Sequence, residues 1–224
     1  MTPDLIIFDC DGVLIDSELI ACGADADELT RLGYEITVED VIRRFSGVPS
    51  DEMYAEVERE FGRPLPPDLE ARIERRVLQR YREDLNAIAL VEETVAALPW
   101  RYCVASSSRP HKLGLGLIET GLYNLFYPHI FSATLVKRGK PAPDLFRYAA
   151  HKMAVAADRC VVIEDSVAGV TAAEAAGMRV LGFVGGSHCL PEHDRELRAA
   201  GAELVFDSFD LLPAVVRDLG EQRT

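Results

Sequence analysis

Leu5-Ile6-Ile7-Phe8-Asp9-Cys10-Asp11-Gly12-Val13-Leu14-Ile15-Asp16-Ser17 is the stretch whose reading decides the fold. The unbroken apolar run from Leu5 to Phe8 reads as a strand buried on both faces, as strands of parallel sheets are. It leads directly into two carboxylates separated by a single residue. Side chains alternate along an extended segment, so Asp9 and Asp11 share one side while Cys10 points away. They stand at the strand's carboxyl end, where open α/β sheets bind ligands. A lone aspartate there is an ordinary turn residue or helix cap. Two on one side repel each other unless a cation or a shared proton compensates them. Gly12 then permits a sharp turn and the close approach of another group.

Bulk composition narrows the possibilities. The chain has 224 residues, 48% hydrophobic and 27% charged, which suits one large domain or two small ones with a real core. With 37 acidic and 24 basic residues the formal net charge is −13, which speaks against nucleic acid or an anionic membrane as partner. The five cysteines (Cys10, Cys22, Cys103, Cys160 and Cys189) are widely spaced and contain no Cys-x-x-Cys pair, so neither a disulfide framework nor a zinc ribbon is expected. There is no basic leader and no apolar run of membrane-spanning length, and the expected location is the cytoplasm.

From Ser17 to about Leu85 the pattern is helical and acidic. Leu19, Ile20, Leu29 and Leu32 mark a first helix ending at Gly33, and Thr37-Val38-Glu39-Asp40 resembles a capping box ahead of Val41, Ile42 and Phe45. Ser50 is expected to cap a third helix bearing Met53, Val57 and Phe61, broken over Gly62 to Pro67. Leu69, Ile73, Val77, Tyr81 and Leu85 mark a fourth at helical spacing. After a short helix near Val91 to Leu98, strands and helices alternate. The expected strands are Tyr102 to Ala105, His129 to Val136, Cys160 to Ile163, Arg179 to Val184 and Leu204 to Phe206. Alternation of this kind implies right-handed crossovers and a parallel, Rossmann-like sheet. The chain is therefore read as an α/β core over 1–16 and 86–224 with a helical insertion, a cap, over 17–85. A polar, frayed tail is expected after Gly220.

The strand ends carry Asp9 and Asp11, then Ser106, then Lys140 in a loop, then Glu164 and Asp165. A parallel sheet gathers such ends into one crevice. Each has a plain alternative: Ser106 to Ser108 as a helix cap, Lys140 before Pro141 as a solvated turn, Glu164-Asp165-Ser166 as an acidic helix start. Their joint occurrence in this order favours a shared site.

In that order the sequence resembles the haloacid dehalogenase-like (HAD) hydrolases, in the branch with a helical cap after the first strand. The resemblance rests on Asp9-x-Asp11-Gly12-Val13-Leu14-Ile15-Asp16-Ser17, on Ser106 after an apolar strand, on Gly139-Lys140-Pro141-x-Pro143-Asp144, and on Ile163-Glu164-Asp165-Ser166-x-Ala168-Gly169. It implies Mg²⁺-dependent phosphoryl transfer through an aspartyl phosphate. Asp9 would be the nucleophile, Asp11 the general acid and base, and Ser106 and Lys140 the phosphoryl binders. Asp9, Asp165, Glu164 and the Asp11 carbonyl would hold the metal. A reference pKa of about 4 would leave Asp9 ionised at neutral pH.

The implied partner is a small phosphorylated metabolite, a sugar or sugar-acid phosphate, taken by a monomer or small homo-oligomer. The expected substrate contacts are Ser107 and, in the insertion, the Phe45-Ser46-Gly47-Val48-Pro49-Ser50 turn, above all Gly47, with Arg44 and Glu18 beside it. Dehalogenases of the family lack the second aspartate. The β-phosphoglucomutase group carries a cap histidine and arginine where this chain has Ala21 and Ser50, which favours hydrolysis over mutase action.

Three other readings compete. Cys103 and Arg109 have the spacing of cysteine-dependent phosphatases, but Cys103 lies inside an apolar strand. Phospho-receiver domains use a similar set of side chains, but are shorter and carry no helical insertion. His188, Cys189 and His193 suggest a zinc cluster, with no fourth ligand evident.

Overall fold

The computed structural model describes residues 2–45 and 47–221. In chain order it contains β1 (Leu5–Phe8), α1 (Glu18–Arg31), α2 (Val38–Phe45), α3 (Ser50–Phe61), α4 (Leu69–Asp84), α5 (Val91–Ala96), β2 (Arg101–Ser106), α6 (Pro110–Glu119), α7 (Tyr123–Phe126), β3 (Ile130–Ser132), α8 (Asp144–Lys152), β4 (Cys160–Glu164), α9 (Val167–Ala175), β5 (Arg179–Phe183), α10 (His193–Ala200), β6 (Leu204–Phe206) and α11 (Leu212–Glu221). They form two compact units, Met1–Asp16 with Asn86–Thr224, and Ser17–Leu85.

The first unit is built on a six-stranded sheet in the order β3-β2-β1-β4-β5-β6, parallel throughout. The chain winds outward from β1 through β2 to β3, then returns beside β1 with β4 and winds the other way. The gap between β1 and β4 is thus the topological switch point, where such sheets hold their ligands. Every residue of β1 is fully buried, and each such side chain stabilises the fold by about 1.5–3 kcal/mol. Leu5 and Ile7 join Cys103, Val162, Leu145, Phe146 and Val170 in the core under α8 and α9. On the opposite face Phe8 meets Phe126 edge-on and stacks on Phe209, with ring centroids 6.0 and 6.2 Å away. One expectation changes here. The segment read as a strand over His129 to Val136 is a strand only at Ile130–Ser132. The Ser132 hydroxyl then accepts from the Thr134 amide at 3.3 Å and turns the chain into a 3₁₀ turn that leaves Leu135 exposed. At the other end, α11 runs to Glu221, and the remainder of the polar tail lies outside the described residues.

The second unit is a helical bundle in which α1 packs against α2 and α4. Leu29, Val57 and Tyr81 lie at its centre. The start of α2 is a reciprocal capping box: the Thr37 hydroxyl accepts from the Asp40 amide at 3.1 Å, and the Asp40 carboxylate accepts from the Thr37 amide at 3.2 Å. Ser50 does not cap α3. It lies inside the first turn, and extended Pro49 (φ −56°, ψ 140°) holds the cap position with no side-chain bond. Leu19 faces solvent rather than the core. Glu28 is buried, and three guanidinium groups match its charge: Arg31 at 2.7 Å, Arg76 at 3.0 Å, and Arg72. A buried carboxylate without them would carry a large desolvation cost.

Candidate active site

The turn after β1 sets the first part of the site. The Asp9 amide continues the ladder to the Ile163 carbonyl at 3.0 Å, and the chain then folds back, with the Leu14 amide on the Cys10 carbonyl and the Gly12 amide on the Ile15 carbonyl, both at 2.9 Å. Gly12 sits at φ +78°, and a Cβ there would run into the Asp165 carboxylate and the His188 ring. Both the backbone and the space therefore require glycine. β4 ends beside this turn at Glu164, with Asp165 next.

Lys140 enters from the loop ahead of α8. Its Nζ lies 2.5 Å from Asp9 Oδ1 and 2.6 Å from Glu164 Oε1, and its side chain is only 5% exposed. Glu164 spends its other oxygen on the amide and hydroxyl of Ser166, both at 2.9 Å. Ser166 in turn caps α9 through the Gly169 amide at 3.0 Å. Gly169 is needed because a Cβ would overlap the Glu164 carboxylate. The helix-start reading of Glu164-Asp165-Ser166 and the site reading thus coexist in one set of bonds.

Asp11 is held from β2. The hydroxyls of Ser106 and Ser108 donate to Asp11 Oδ2 at 3.3 and 2.7 Å, and Lys112 Nζ lies 3.5 Å from Oδ1. Ser106 is fully buried and accepts from the Ser108 amide at 3.0 Å. Ser107 is exposed. The cap of α6 is Arg109, without a side-chain bond, so the serines do not cap that helix.

The sequence does not announce the contacts of Ser108, Lys112 and His188. Ser108 lies two residues beyond Ser106, the spacing that returns a side chain to the same side of an extended segment. The sequence offers His188 only as a zinc ligand, yet its Nε2 lies 3.0 Å from Asp165 Oδ2. The ligating atoms of His188, Cys189 and His193 do lie within 4.8 Å of one another. His193 Nε2, however, donates to the Asp165 carbonyl at 2.5 Å, and Cys189 Sγ lies 3.6 Å from the same His188 Nε2 that meets Asp165. His188 and His193 thus both meet Asp165, at its carboxylate and at its carbonyl, and Cys189 meets His188.

Of the residues placed in the insertion, Arg44 and Gly47 belong to the helical unit. Arg44 is bound there to Glu56 at 2.9 Å, Glu60 at 2.7 Å and the Tyr34 hydroxyl at 3.1 Å. Gly47 is exposed at φ +74°. Ser46 lies outside the described residues.

Electrostatics set the terms for a ligand. Asp9, Glu164 and Asp165 are buried, with Asp11 half-buried beside them. Burial raises the Asp9 pKa well above the ordinary carboxylate range; Lys140 opposes this, and Glu164, Asp165 and Asp11 add to it. The reference value that the sequence offers for Asp9 is therefore too low for the cation-free site. Lys140 is disfavoured as a cation by burial, but Asp9 and Glu164 outweigh this and raise its pKa. Desolvation opposes charge on His188 too, yet its hydrogen bond to Asp165 leads the contacts that push it up to about 11. An all-oxygen set with excess negative charge fits a hard divalent cation such as Mg²⁺. Burial pushes the Cys103 thiol up and so removes it as a nucleophile.

A family model described as haloacid dehalogenase-like hydrolase matches residues 3–177. The chain belongs to the haloacid dehalogenase-like hydrolases. It is 31% identical over 189 residues to the 6-phosphogluconate phosphatase of Escherichia coli K12, covering 84% of this chain and 86% of that protein. Among solved structures it is similar to a conserved haloacid dehalogenase-like protein of unknown function from Agrobacterium tumefaciens C58, with 42% identity, TM-score 0.90, and 97% of this chain and 99% of that one covered. A HAD family hydrolase from Deinococcus radiodurans R1, solved with bound phosphate and sodium, is 32% identical with TM-score 0.82, covering 98% and 97%. Among the described residues no helix is long and apolar enough to cross a membrane.

Proposed function

We propose that this chain is a Mg²⁺-dependent phosphatase that hydrolyses a small phosphomonoester, a sugar or sugar-acid phosphate, through an aspartyl phosphate on Asp9. The observation that carries the reading is Lys140 Nζ bridging Asp9 and Glu164 in a buried site whose carboxylates exceed its cations. The phosphate bound in the Deinococcus structure and the name of the Escherichia coli relative support the substrate class.

In this reading Asp9 Oδ attacks phosphorus while Asp11 gives its proton to the departing ester oxygen. Water then attacks phosphorus and passes a proton to Asp11, which releases phosphate and restores Asp9. Ser106, Ser108 and Lys112 hold Asp11 in place for both transfers. Lys140 neutralises the phosphoryl oxygens, which Ser106 also binds, and Glu164 anchors Lys140 through Ser166 and the start of α9. Asp9, the Asp11 carbonyl and Asp165, helped by Glu164, would hold Mg²⁺, which when bound supplies charge neutralisation for attack on a dianion. Ser107, Arg44 and Gly47 remain the candidates for substrate contact in this proposal.

A screen of sugar, sugar-acid, nucleotide and glycolate phosphates with Mg²⁺ tests the reading, and background turnover across all of them would overturn it. Chelation by EDTA is expected to cost about 10³-fold in turnover, restored by Mg²⁺. Proton and cation compete for Asp9, whose pKa is raised. As pH rises through that pKa the proton leaves, and the Mg²⁺ activation constant should fall to a plateau. An activation constant that does not change with pH would contradict this competition.

A further inference from the structure

His188 is 3% exposed, and its Nε2 lies 3.0 Å from Asp165 Oδ2. Its Nδ1 is buried without a hydrogen-bond partner, the one such side-chain atom among the described residues. An unpaired buried polar atom costs about 1–3 kcal/mol, a penalty that an apolar residue in the same space would avoid. The ring is therefore held for what its other nitrogen does.

The surroundings are shaped for it. Gly12 and Gly186 flank the imidazole, and a Cβ on either would stand 2.8 Å from ring atoms. The start of α10 grips the backbone of Asp165, because His193 Nε2 donates to its carbonyl at 2.5 Å. Ser166, the next residue, is fixed as the cap of α9. Asp165 is thus restrained at its carbonyl, at its carboxylate and at its successor.

We propose that His188 is a positioning residue, its Nε2–H fixing the orientation of the Asp165 carboxylate so that the free oxygen is presented to the divalent cation. The proposal rests on reading Asp165 as a cation ligand. A donor behind a ligating carboxylate spares the site the entropy of ordering that side chain when the ion arrives. The loop between β5 and α10, remote in sequence from β1 and β4, becomes part of the cation site.

Direct Mn²⁺ binding, followed through the electron paramagnetic resonance signal of the free ion, tests this without turnover. A glutamine amide reaches the position of Nε2, and an asparagine amide stays near that of Nδ1. His188→Ala and His188→Asn are expected to weaken Mn²⁺ binding about 10–100-fold, and His188→Gln to recover most of that loss. Melting curves report whether each variant folds, and the comparison of Gln with Asn holds even where Ala does not fold. Wild-type affinity in His188→Asn, or an equal loss in Gln and Asn, would overturn the positioning role. Asp165→Asn separates the two layers. If it abolishes binding while His188→Asn does not weaken it, the inference alone fails; if Asp165→Asn binds Mn²⁺ like the wild type, Asp165 is no ligand and both fail.

Discussion

Asp9→Asn is expected to lower kcat by at least about 10⁴-fold, since the amide is no nucleophile and loss of a covalent-catalysis residue costs on that order or more. The substitution conserves shape and an oxygen that can still accept from Lys140. Burial and three neighbouring carboxylates oppose the charge on Asp9, so a neutral side chain relieves strain in the cation-free protein. The melting temperature without Mg²⁺ should therefore hold or rise while turnover collapses. Steady-state kinetics beside thermal melts, with and without Mg²⁺, would show this divergence. Substantial residual turnover in a folded variant would remove Asp9 from the chemistry.

Lys140→Met is expected to lower kcat/KM by about 10²–10³-fold, the cost of losing one charge-stabilising donor in a water-poor site. Its second effect runs the opposite way. Removing the ammonium leaves Asp9 and Glu164 without their shared counter-charge, so the site should bind Mg²⁺ more tightly. Breaking a buried pair by deleting one partner costs about 3–5 kcal/mol of stability, and Mg²⁺ should recover part of it. A catalytic loss with tighter metal binding separates this role from a collapsed fold. Lys140→Arg should not restore activity, because a planar guanidinium cannot replace a point charge with contacts at 2.5 and 2.6 Å. Weaker Mg²⁺ binding in Lys140→Met would contradict the assigned balance of charge.

The parallel sheet was legible because its central strands are buried on both faces: Leu5 to Phe8 and Cys160 to Ile163 had to be apolar throughout, whatever the loops did. β3 was overextended because Ser132 ends it by a side-chain bond to Thr134, and nothing in the apolar pattern marks that bond. The Thr37–Asp40 cap was local and could be read directly. The start of α3 misled because Pro49 offers an extended residue without a polar side chain. Asp9, Lys140 and Glu164 were readable as strand-end candidates because a parallel sheet collects those ends, and the structure puts them in contact. The contacts of His188 and Lys112 were not legible, since they depend on where a loop and a helix turn return in space.

The phosphorylated enzyme itself is the most direct test. Folded wild-type protein turning over a substrate labelled in its phosphoryl group with Mg²⁺ and quenched in acid should carry the label on the peptide containing Asp9, and a second portion reduced with borohydride should lose the label and yield homoserine at that position. Label on Ser106 or Cys103, or steady-state turnover with no labelled protein at any quench time, would contradict it.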